Sequence, residues 1–481
     1  MNTLPGMKKL PLLLLLCFPP AALSDGLPDL GDVSQTVLTP MQERQIGHQS
    51  MLQIRASSQY LDDVEINDYL NRIGYKLVQN SAEPSLDFEF FALDDHNINA
   101  FAMPGGYIGV NSGLLLTAQS ESELAAVLGH EIAHVTQHHL ARILSGTRND
   151  GWSTMAALAV AILAARTNPQ AAEAAIASAQ AHSIQKQLDF TRSHEQEADR
   201  VGLDILEKSG FSIHAMPEFL NRLQLATRLL DGQAPTYLRT HPVTSDRIAD
   251  IENRVSRQPY RLVPDSMDFQ LVRAKLHAAR RTAAEAVAYF SDALGEQKHG
   301  NPLAQRYGLV ISLLRNNQPQ RAAQELATLR RQLKASRGQG NSPMIETLAG
   351  QVMRAEKDGD ALAFYRNAVQ NFPQHRALVY DYTELLLQHN RAGEAVELLV
   401  EQLARHPSDI RLYDLQAKAY EMLGKRLEQH QAQAYSYAWQ GKLYAALEQL
   451  ELAKQAGGSF YQLSTLESDM RELRDMLDWQ K

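Results

Sequence analysis

The 481-residue sequence has a single cysteine, Cys17, and no excess of basic residues. One cysteine cannot form an intramolecular disulfide, and Cys17 lies in a segment that we expect to be removed, which excludes thiol catalysis in the mature chain. The formal net charge of -8 argues against nucleic acid as a partner. What remains is an alanine- and leucine-rich chain, long enough for two or three globular domains.

Long apolar runs are also missing after the N-terminus. The most apolar stretch, Trp152 to Ala165, has about 14 residues, whereas a membrane-spanning helix needs about 20. It fits a buried helix, a lid over a cleft, or a segment that touches a membrane peripherally. We therefore expect no transmembrane span.

The N-terminus has the order of a secretory signal peptide. Two lysines precede an apolar run from Leu10 to Phe18, followed by two prolines and a small-residue site that ends at Ser24. We expect cleavage before Asp25, so that residues 1–24 are removed and the rest is exported to an envelope compartment. A lipid anchor on Cys17 is the alternative, but leucine before that cysteine is unfavourable for lipoprotein processing.

The first part of the mature chain is predicted to combine helices with a small sheet. Thr39-Pro40 and Asp63 are good helix starts. Alternating apolar and aromatic residues then predict three strands, at Phe88–Leu93, Ile98–Met103 and Tyr107–Val110, with a Pro-Gly-Gly turn between the last two.

The helix predicted over Ser120–Leu144 carries the most specific motif, HEIAH. His130 and His134 are four residues apart, which stacks two imidazoles on one side of a helix. Two neutral imidazoles can bind zinc and leave coordination positions open, and a glutamate next to the first, here Glu131, can take a proton from the attacking water. The pattern therefore predicts a zinc hydrolase rather than a chance match on a surface helix.

A third protein ligand must come from elsewhere in the chain. The extended motif HExxHxxGxxH is excluded because Gln137 replaces its glycine and Leu140 its last histidine. His138 is too far along a straight helix to bind the same ion as His130, so we predict a surface or supporting position for it.

The favoured third ligand lies in the segment SHEQEAD. Glu195 and Asp199 are four residues apart and share a helical face, so that Glu195 can bind zinc while Asp199 orients a ligand histidine. Glu197 is predicted to point away from that face. His194 remains an alternative ligand.

The C-terminal part, residues 263–481, has the pattern of a repeat protein. From about residue 266, small residues recur at the offsets of the 34-residue tetratricopeptide pattern. Ala361 and Ala395 are 34 residues apart, as are Pro373 and Pro407. Such helical hairpins stack into an α-solenoid whose concave surface generally binds a peptide or another protein. The predicted fold class is α+β and mostly helical, with the zincin-like peptidase domain at 25–262.

These motifs together resemble a known group of metallopeptidases. NAFAMPGGYIGVNSGLL, HEIAH, EQEAD and THP are similar to the zincin family of the membrane-associated CAAX-processing protease and its soluble relatives, including periplasmic β-barrel assembly-enhancing proteases. The resemblance implies Zn²⁺ bound by His130, His134 and Glu195, with Glu131 as general base and Asp199 as a supporting or proton-donating residue. It also implies outer-membrane β-barrel clients and the barrel-assembly machinery as partners.

Two further predictions concern the surroundings of the zinc. His241, in TYLRTHPVTSDR, is interpreted either as a fourth ligand that keeps the enzyme latent or as a transition-state hydrogen-bond donor, with Arg247 as a second candidate donor. We also expect an extended substrate to pair with an edge strand. That strand is formed by Asn99, Ala100, Phe101, Ala102 and Met103.

The sequence is thus compatible with two functions. The first is an exported zinc endopeptidase that degrades misassembled outer-membrane proteins and assists their assembly. The second is mainly a chaperone or adaptor whose protease is latent and seldom used.

Overall fold

The computed structural model describes residues 38–146, 181–229, 235–295, 300–335 and 342–479. The predicted signal peptide and the apolar stretch 152–165 lie outside the described residues.

Two helices open the described chain, and each begins where the sequence supplies a cap. Helix α1 spans Pro40–Ala56, and Thr39 and Gln42 form a reciprocal capping box in front of it. Helix α2 spans Val64–Val78, where the Asp63 carboxylate accepts from two backbone N–H groups of the first turn. Both predicted helix starts are confirmed.

The sheet has three strands: β1 (Glu89–Leu93), β2 (Ala100–Met103) and β3 (Tyr107–Asn111). Strand β3 lies in the middle, parallel to β1 and antiparallel to β2, so β2 is an edge of the sheet among the described strands. A tight turn, Pro104–Gly106, joins β2 to β3. Gly105 has φ 74°, and a β-carbon there would lie 2.7 Å from Arg44 Cα, because α1 crosses directly over this turn.

The helix that we predicted over Ser120–Leu144 is divided into two helices, and the HEIAH motif lies entirely on the first. After α3 (Ser112–Thr117), helix α4 runs from Glu121 to Thr136 and α5 from His139 to Gly146. Between them His138 adopts a left-handed conformation with φ 49°. A left-handed residue ends a helix, so the chain changes direction directly after the motif.

Four helices follow in the described residues between 181 and 255: α6 (Ala181–Lys208), α7 (Ala215–Leu229), α8 (Thr236–Thr240) and α9 (Ser245–Val255). Helix α6 ends at Lys208, and Gly210 two residues later has a φ of 77°, which suits the end of a helix. It crosses α4 at two glycines: a β-carbon on Gly202 would lie 3.0 Å from His130 N, and one on Gly129 would lie 3.2 Å from Gly202 O. The absence of side chains at this crossing lets the two backbones approach closely.

Twelve helices follow in the described residues between 267 and 479, and consecutive helices pack against each other as the tetratricopeptide pattern predicts. They are α10 (Met267–Ala279), α11 (Ala283–Gly295), α12 (Pro302–Arg315), α13 (Pro319–Ala335), α14 (Pro343–Glu356), α15 (Ala361–Asn371), α16 (Arg376–Gln388), α17 (Ala392–Arg405), α18 (Ile410–Met422), α19 (Arg426–Trp439), α20 (Leu443–Gln455) and α21 (Phe460–Trp479). Among the described helices of the chain, none is both long and apolar enough to cross a membrane.

The solenoid docks on helix α2. Lys275 Nζ of α10 lies 2.7 Å from carboxylate oxygens of both Asp63 and Glu65, and His375 Nε2, just before α16, lies 3.0 Å from Glu65 Oε1. Arg376 pairs with Asp68 on the same helix. A continuous apolar core runs from α2 through the sheet and α4 into the first repeats.

Candidate active site

The close crossing of α4 and α6 brings the predicted residues together. His130 and His134 lie on α4 one turn apart, and Glu195 and Asp199 lie one turn apart on α6. His241 ends the short helix α8, which is tied to the sheet because Tyr237 N donates to Ile98 O. All five side chains are buried.

Four of these side chains direct ligand atoms at one point. His130 Nε2 lies 3.0 Å from His134 Nε2 and 3.3 Å from Glu195 Oε2, and His134 Nε2 lies 3.4 Å from Glu195 Oε1. His241 Nδ1 lies 3.3 Å from His130 Nε2 and 3.1 Å from both Glu195 oxygens. The ligand atoms of all four residues lie within 4.8 Å of one another. Buried nitrogen and carboxylate donors in this arrangement form a candidate metal centre.

Asp199 and Arg247 lie on the side of His130 that faces away from the metal cluster. His130 Nδ1 is 3.1 Å from Asp199 Oδ1, an ion-pair distance. Arg247 holds Asp199 with two hydrogen bonds of 2.7 and 2.8 Å, and its Nη1 lies 2.9 Å from Glu195 Oε2. The guanidinium, 2% exposed, therefore fixes a ligand carboxylate and a supporting carboxylate at once.

Burial and the contacts between carboxylates and histidines shift the pKa values of the cluster in opposite directions. Burial alone would lower the pKa of His130, but its contacts with Asp199 and Glu195 raise it to about 9. Burial alone would raise the pKa of Glu195, but His241 and His134 keep it well below its ordinary value. Burial lowers the pKa of His134 to about 4, so this ring is neutral, the form that binds metal.

Glu131 is a buried carboxylate that lacks ordinary partners. Both of its oxygens are inaccessible to solvent and have no hydrogen bond among the described residues, apart from the 3.3 Å approach of His241 Nε2 to Oε1. Leaving a buried carboxylate unpaired is costly, so a residue in this state points to a binding or catalytic use.

Because the helix is interrupted at His138, a second group of polar residues lies on the Nδ1 side of the His134 ring. His139 Nδ1 lies 2.9 Å from His134 Nδ1, and His139 Nε2 lies 3.2 Å from Glu197 Oε2. His194 does not join the metal cluster, since its ring stacks on His139 with centroids 4.3 Å apart. His138 turns away and contacts Glu83 at 3.2 Å.

Sequence reasoning missed His139 because it assumed an unbroken helix. The only signal available was the unusual run of histidines after the motif.

A cleft runs past the cluster and is bordered by the edge strand. Its lining includes Ala102, Met103 and Pro104 of the edge strand and its turn, His134 and Glu195 of the cluster, and Leu140 and Ile143 of α5. Asn99, Ala100 and Phe101 precede these positions on the chain, and all three are buried. The predicted substrate strand thus lies beside the candidate metal centre.

Comparison with known families agrees with this geometry. Residues 65–255 match Peptidase family M48, and residues 353–419 match the tetratricopeptide repeat. The first match includes all four residues of the metal cluster.

Similar proteins extend the match over most of the chain. A Vibrio cholerae protein provisionally named a β-barrel assembly-enhancing protease is 34% identical over 84% of this chain and 83% of its own length. The β-barrel assembly-enhancing protease of Escherichia coli is 32% identical over 82% of this chain and 80% of its own length. The mitochondrial metalloendopeptidase OMA1 of Schizosaccharomyces pombe is 30% identical over 38% of this chain and 51% of its own length. The chain therefore belongs to the M48 metallopeptidases, in the group of β-barrel assembly-enhancing proteases, and its own tetratricopeptide repeats follow the peptidase match.

Proposed function

We propose that this metallopeptidase is a zinc endopeptidase of the periplasm. In this proposal it cleaves misassembled outer-membrane β-barrel proteins and assists their assembly beside the barrel-assembly machinery, while its repeats recruit clients or partners. The names of the relatives support the barrel-assembly role, and the order of residues in the N-terminal segment supports export. One observation supports the enzymatic part of the proposal. Four side chains direct possible metal ligands at one point, beside the Glu131 carboxylate, whose oxygens accept no hydrogen bond among the described residues.

The donor spacing fits zinc. Tetrahedral zinc with bonds of about 2.0–2.1 Å holds its ligand atoms about 3.3 Å apart. The nitrogen and oxygen atoms of His130, His134 and Glu195 are separated by 3.0 to 3.4 Å. We assign these three residues as the protein ligands, with one Zn²⁺ per chain.

The other buried groups then acquire roles in peptide hydrolysis. When bound, zinc supplies a Lewis acid for the scissile carbonyl and makes a nearby water more acidic. Glu131 Oε1 or Oε2 would take the proton of the attacking water and hold it for the leaving amine. Asp199 keeps the Nδ1 proton of His130 in place, so that Nε2 stays free to bind the metal.

Arg247 is assigned a supporting role in place of the predicted transition-state role. Its N–H groups donate to Asp199 and to the Pro242 carbonyl, and its Nη1 pairs with Glu195. A guanidinium engaged in this way orients ligands and holds the loop that carries His241.

His241 is proposed as a latch. Its Nδ1 lies as close to the Glu195 oxygens as the ligand atoms lie to each other, and the ring is completely buried. As a fourth ligand it would leave no position for a substrate carbonyl, so the loop would have to move before catalysis. The alternative role, a hydrogen-bond donor to the transition state, uses the same ring after such a movement.

The substrate is proposed to lie along β2. The strand borders the cleft beside His134 and Glu195, which would set a peptide backbone across the metal centre.

Glu131→Gln in the full mature chain tests the proposal. The amide keeps the size of the side chain but cannot act as a base. We expect one zinc per chain in both proteins, measured by metal analysis, and loss of hydrolysis of an unfolded outer-membrane protein in the variant alone. A variant that still hydrolyses the substrate, or a wild-type chain without metal, would contradict the proposal. If the variant still assists β-barrel assembly in cells, the chaperone or adaptor function accounts for that part.

A further inference from the structure

We infer that His139 is a positioning residue that fixes the orientation and tautomer of His134, with Glu197 and Arg142 holding it in turn. This inference rests on the proposed metal site, because it concerns the ring that supplies one of the ligands. It assigns a use to a buried histidine that lies outside the metal cluster.

The proton positions follow from two distances. His134 Nε2 lies among the ligand atoms, so it must offer a lone pair there and carry its proton on Nδ1. His134 Nδ1 lies 2.9 Å from His139 Nδ1, and two nitrogens at that distance share one hydrogen. His134 Nδ1–H therefore donates to His139 Nδ1, and the proton of His139 resides on Nε2.

The surroundings of His139 Nε2 agree with a proton on that nitrogen. Its Nε2 lies 3.2 Å from Glu197 Oε2, and a carboxylate accepts the N–H that the preceding step demands. Arg142 Nη1 donates to the same oxygen at 2.8 Å. The opposite tautomer of His139 would place a ring lone pair against the carboxylate and a proton on His134 Nε2, in the middle of the ligand atoms.

The two ligand histidines are thus supported in parallel ways. His130 is backed directly by the carboxylate of Asp199, which Arg247 holds. His134 is backed through one extra imidazole by Glu197, which Arg142 holds.

The left-handed residue before His139 makes the second arrangement possible. On a regular helix, residues five apart point about 140° from each other, so His139 could not reach His134. Because the chain changes direction at His138, the His139 ring lies edge-on to the His134 ring and stacks on the His194 ring.

Zinc affinity of the full mature chain provides the test, measured by competition with a chromophoric chelator. His139→Ala removes the acceptor of His134 Nδ1–H, and loss of such a partner typically weakens metal binding by about 10- to 100-fold. In His139→Asn the amide oxygen can take the place of Nδ1, so we expect most of the affinity to return. His138→Asn is the matched control: it changes the neighbouring histidine, which faces Glu83, and asparagine tolerates the left-handed backbone.

A spectroscopic readout separates positioning from a simple loss of packing. In the cobalt-substituted proteins, His139→Ala should change the visible d–d bands and His139→Asn should resemble wild type. Zinc affinity of His139→Ala equal to that of wild type would overturn the inference, as would equal defects in the alanine and asparagine variants. If His139→Ala does not fold, Glu197→Ala decides the matter, since unchanged zinc affinity there would also overturn it. A wild-type chain that binds no zinc defeats the proposed function itself, whereas zinc binding that is insensitive to these changes defeats only the role of His139.

Discussion

Substitution of Gly202 by alanine is expected to disturb the metal site without touching any ligand. A β-carbon at this position would lie 3.0 Å from His130 N and 3.1 Å from His130 Cα. Both are backbone atoms of α4 and cannot rotate out of the way. The two helices must therefore separate by about 0.4 Å before this contact reaches the 3.4 Å at which ordinary van der Waals packing begins.

That separation acts directly on the ligands. Gly202 lies seven residues after Glu195 and three after Asp199, so all three share one face of α6. Metal–ligand distances are held within about 0.2 Å, and a shift of about 0.4 Å exceeds that tolerance. We expect zinc affinity to fall at least about tenfold, which corresponds to about 1.4 kcal/mol.

Two opposing contributions determine the folding stability of the metal-free variant. Overpacking costs about 1–3 kcal/mol. Alanine returns about 1 kcal/mol of helix propensity relative to glycine. The free energy of unfolding of the metal-free protein should therefore decrease by about 0–2 kcal/mol.

Chelator competition and urea unfolding of the metal-free protein measure the two effects. Gly393→Ala is the matched control, because Gly393 lies in helix α17 with no atom within 4 Å of its added β-carbon. It should bind zinc normally and be at least as stable as wild type. A Gly202→Ala protein with wild-type zinc affinity would refute the claim that the close crossing sets the ligand geometry.

Two further predictions concern the latch and the domain interface. His241→Ala should raise the rate of peptide hydrolysis if His241 blocks the site, whereas a plain loss of activity would favour its role as a donor. At the interface, burial alone would raise the pKa of Glu65, but Lys275 and His375 lower it to about 2. Because the folded pKa lies below the ordinary value, Glu65 stabilises the fold fully above pH 4.5 and loses this contribution as the pH falls towards 2. Glu65→Gln should therefore be about 3 kcal/mol less stable than wild type at neutral pH, with a difference that narrows in acid. Urea unfolding at several pH values measures this difference, and a difference that stays constant with pH would argue against the ion pairs.

The parts of the fold governed by local patterns could be predicted from the sequence. The caps at Thr39 and Asp63, the Pro-Gly-Gly turn and the 34-residue spacing each depend on neighbouring residues, and the structure contains the corresponding elements. Four-residue spacing likewise identified the histidine pair and the carboxylate pair that the structure brings together.

Features that depend on distant contacts could not be predicted. The left-handed conformation of His138 is unusual for a residue other than glycine, so local preference pointed to a continuous helix and concealed His139. The crossing at Gly129 and Gly202 depends on two helices that are far apart in sequence. The ion pairs between α2 and the solenoid join residues more than 200 positions apart, as Lys275 and Glu65 do.

The apolar core shared by the peptidase part and the first repeats has a practical consequence for anyone who wishes to dissect this chain. A cut at residue 262 would expose Tyr69, which packs on Phe269 of α10, and would remove Lys275 and His375, which contact Glu65. The excised N-terminal fragment would expose an apolar and acidic surface that the repeats cover in the full chain. Point substitutions are therefore a better way than truncation to separate the contributions of the peptidase part and of the repeats.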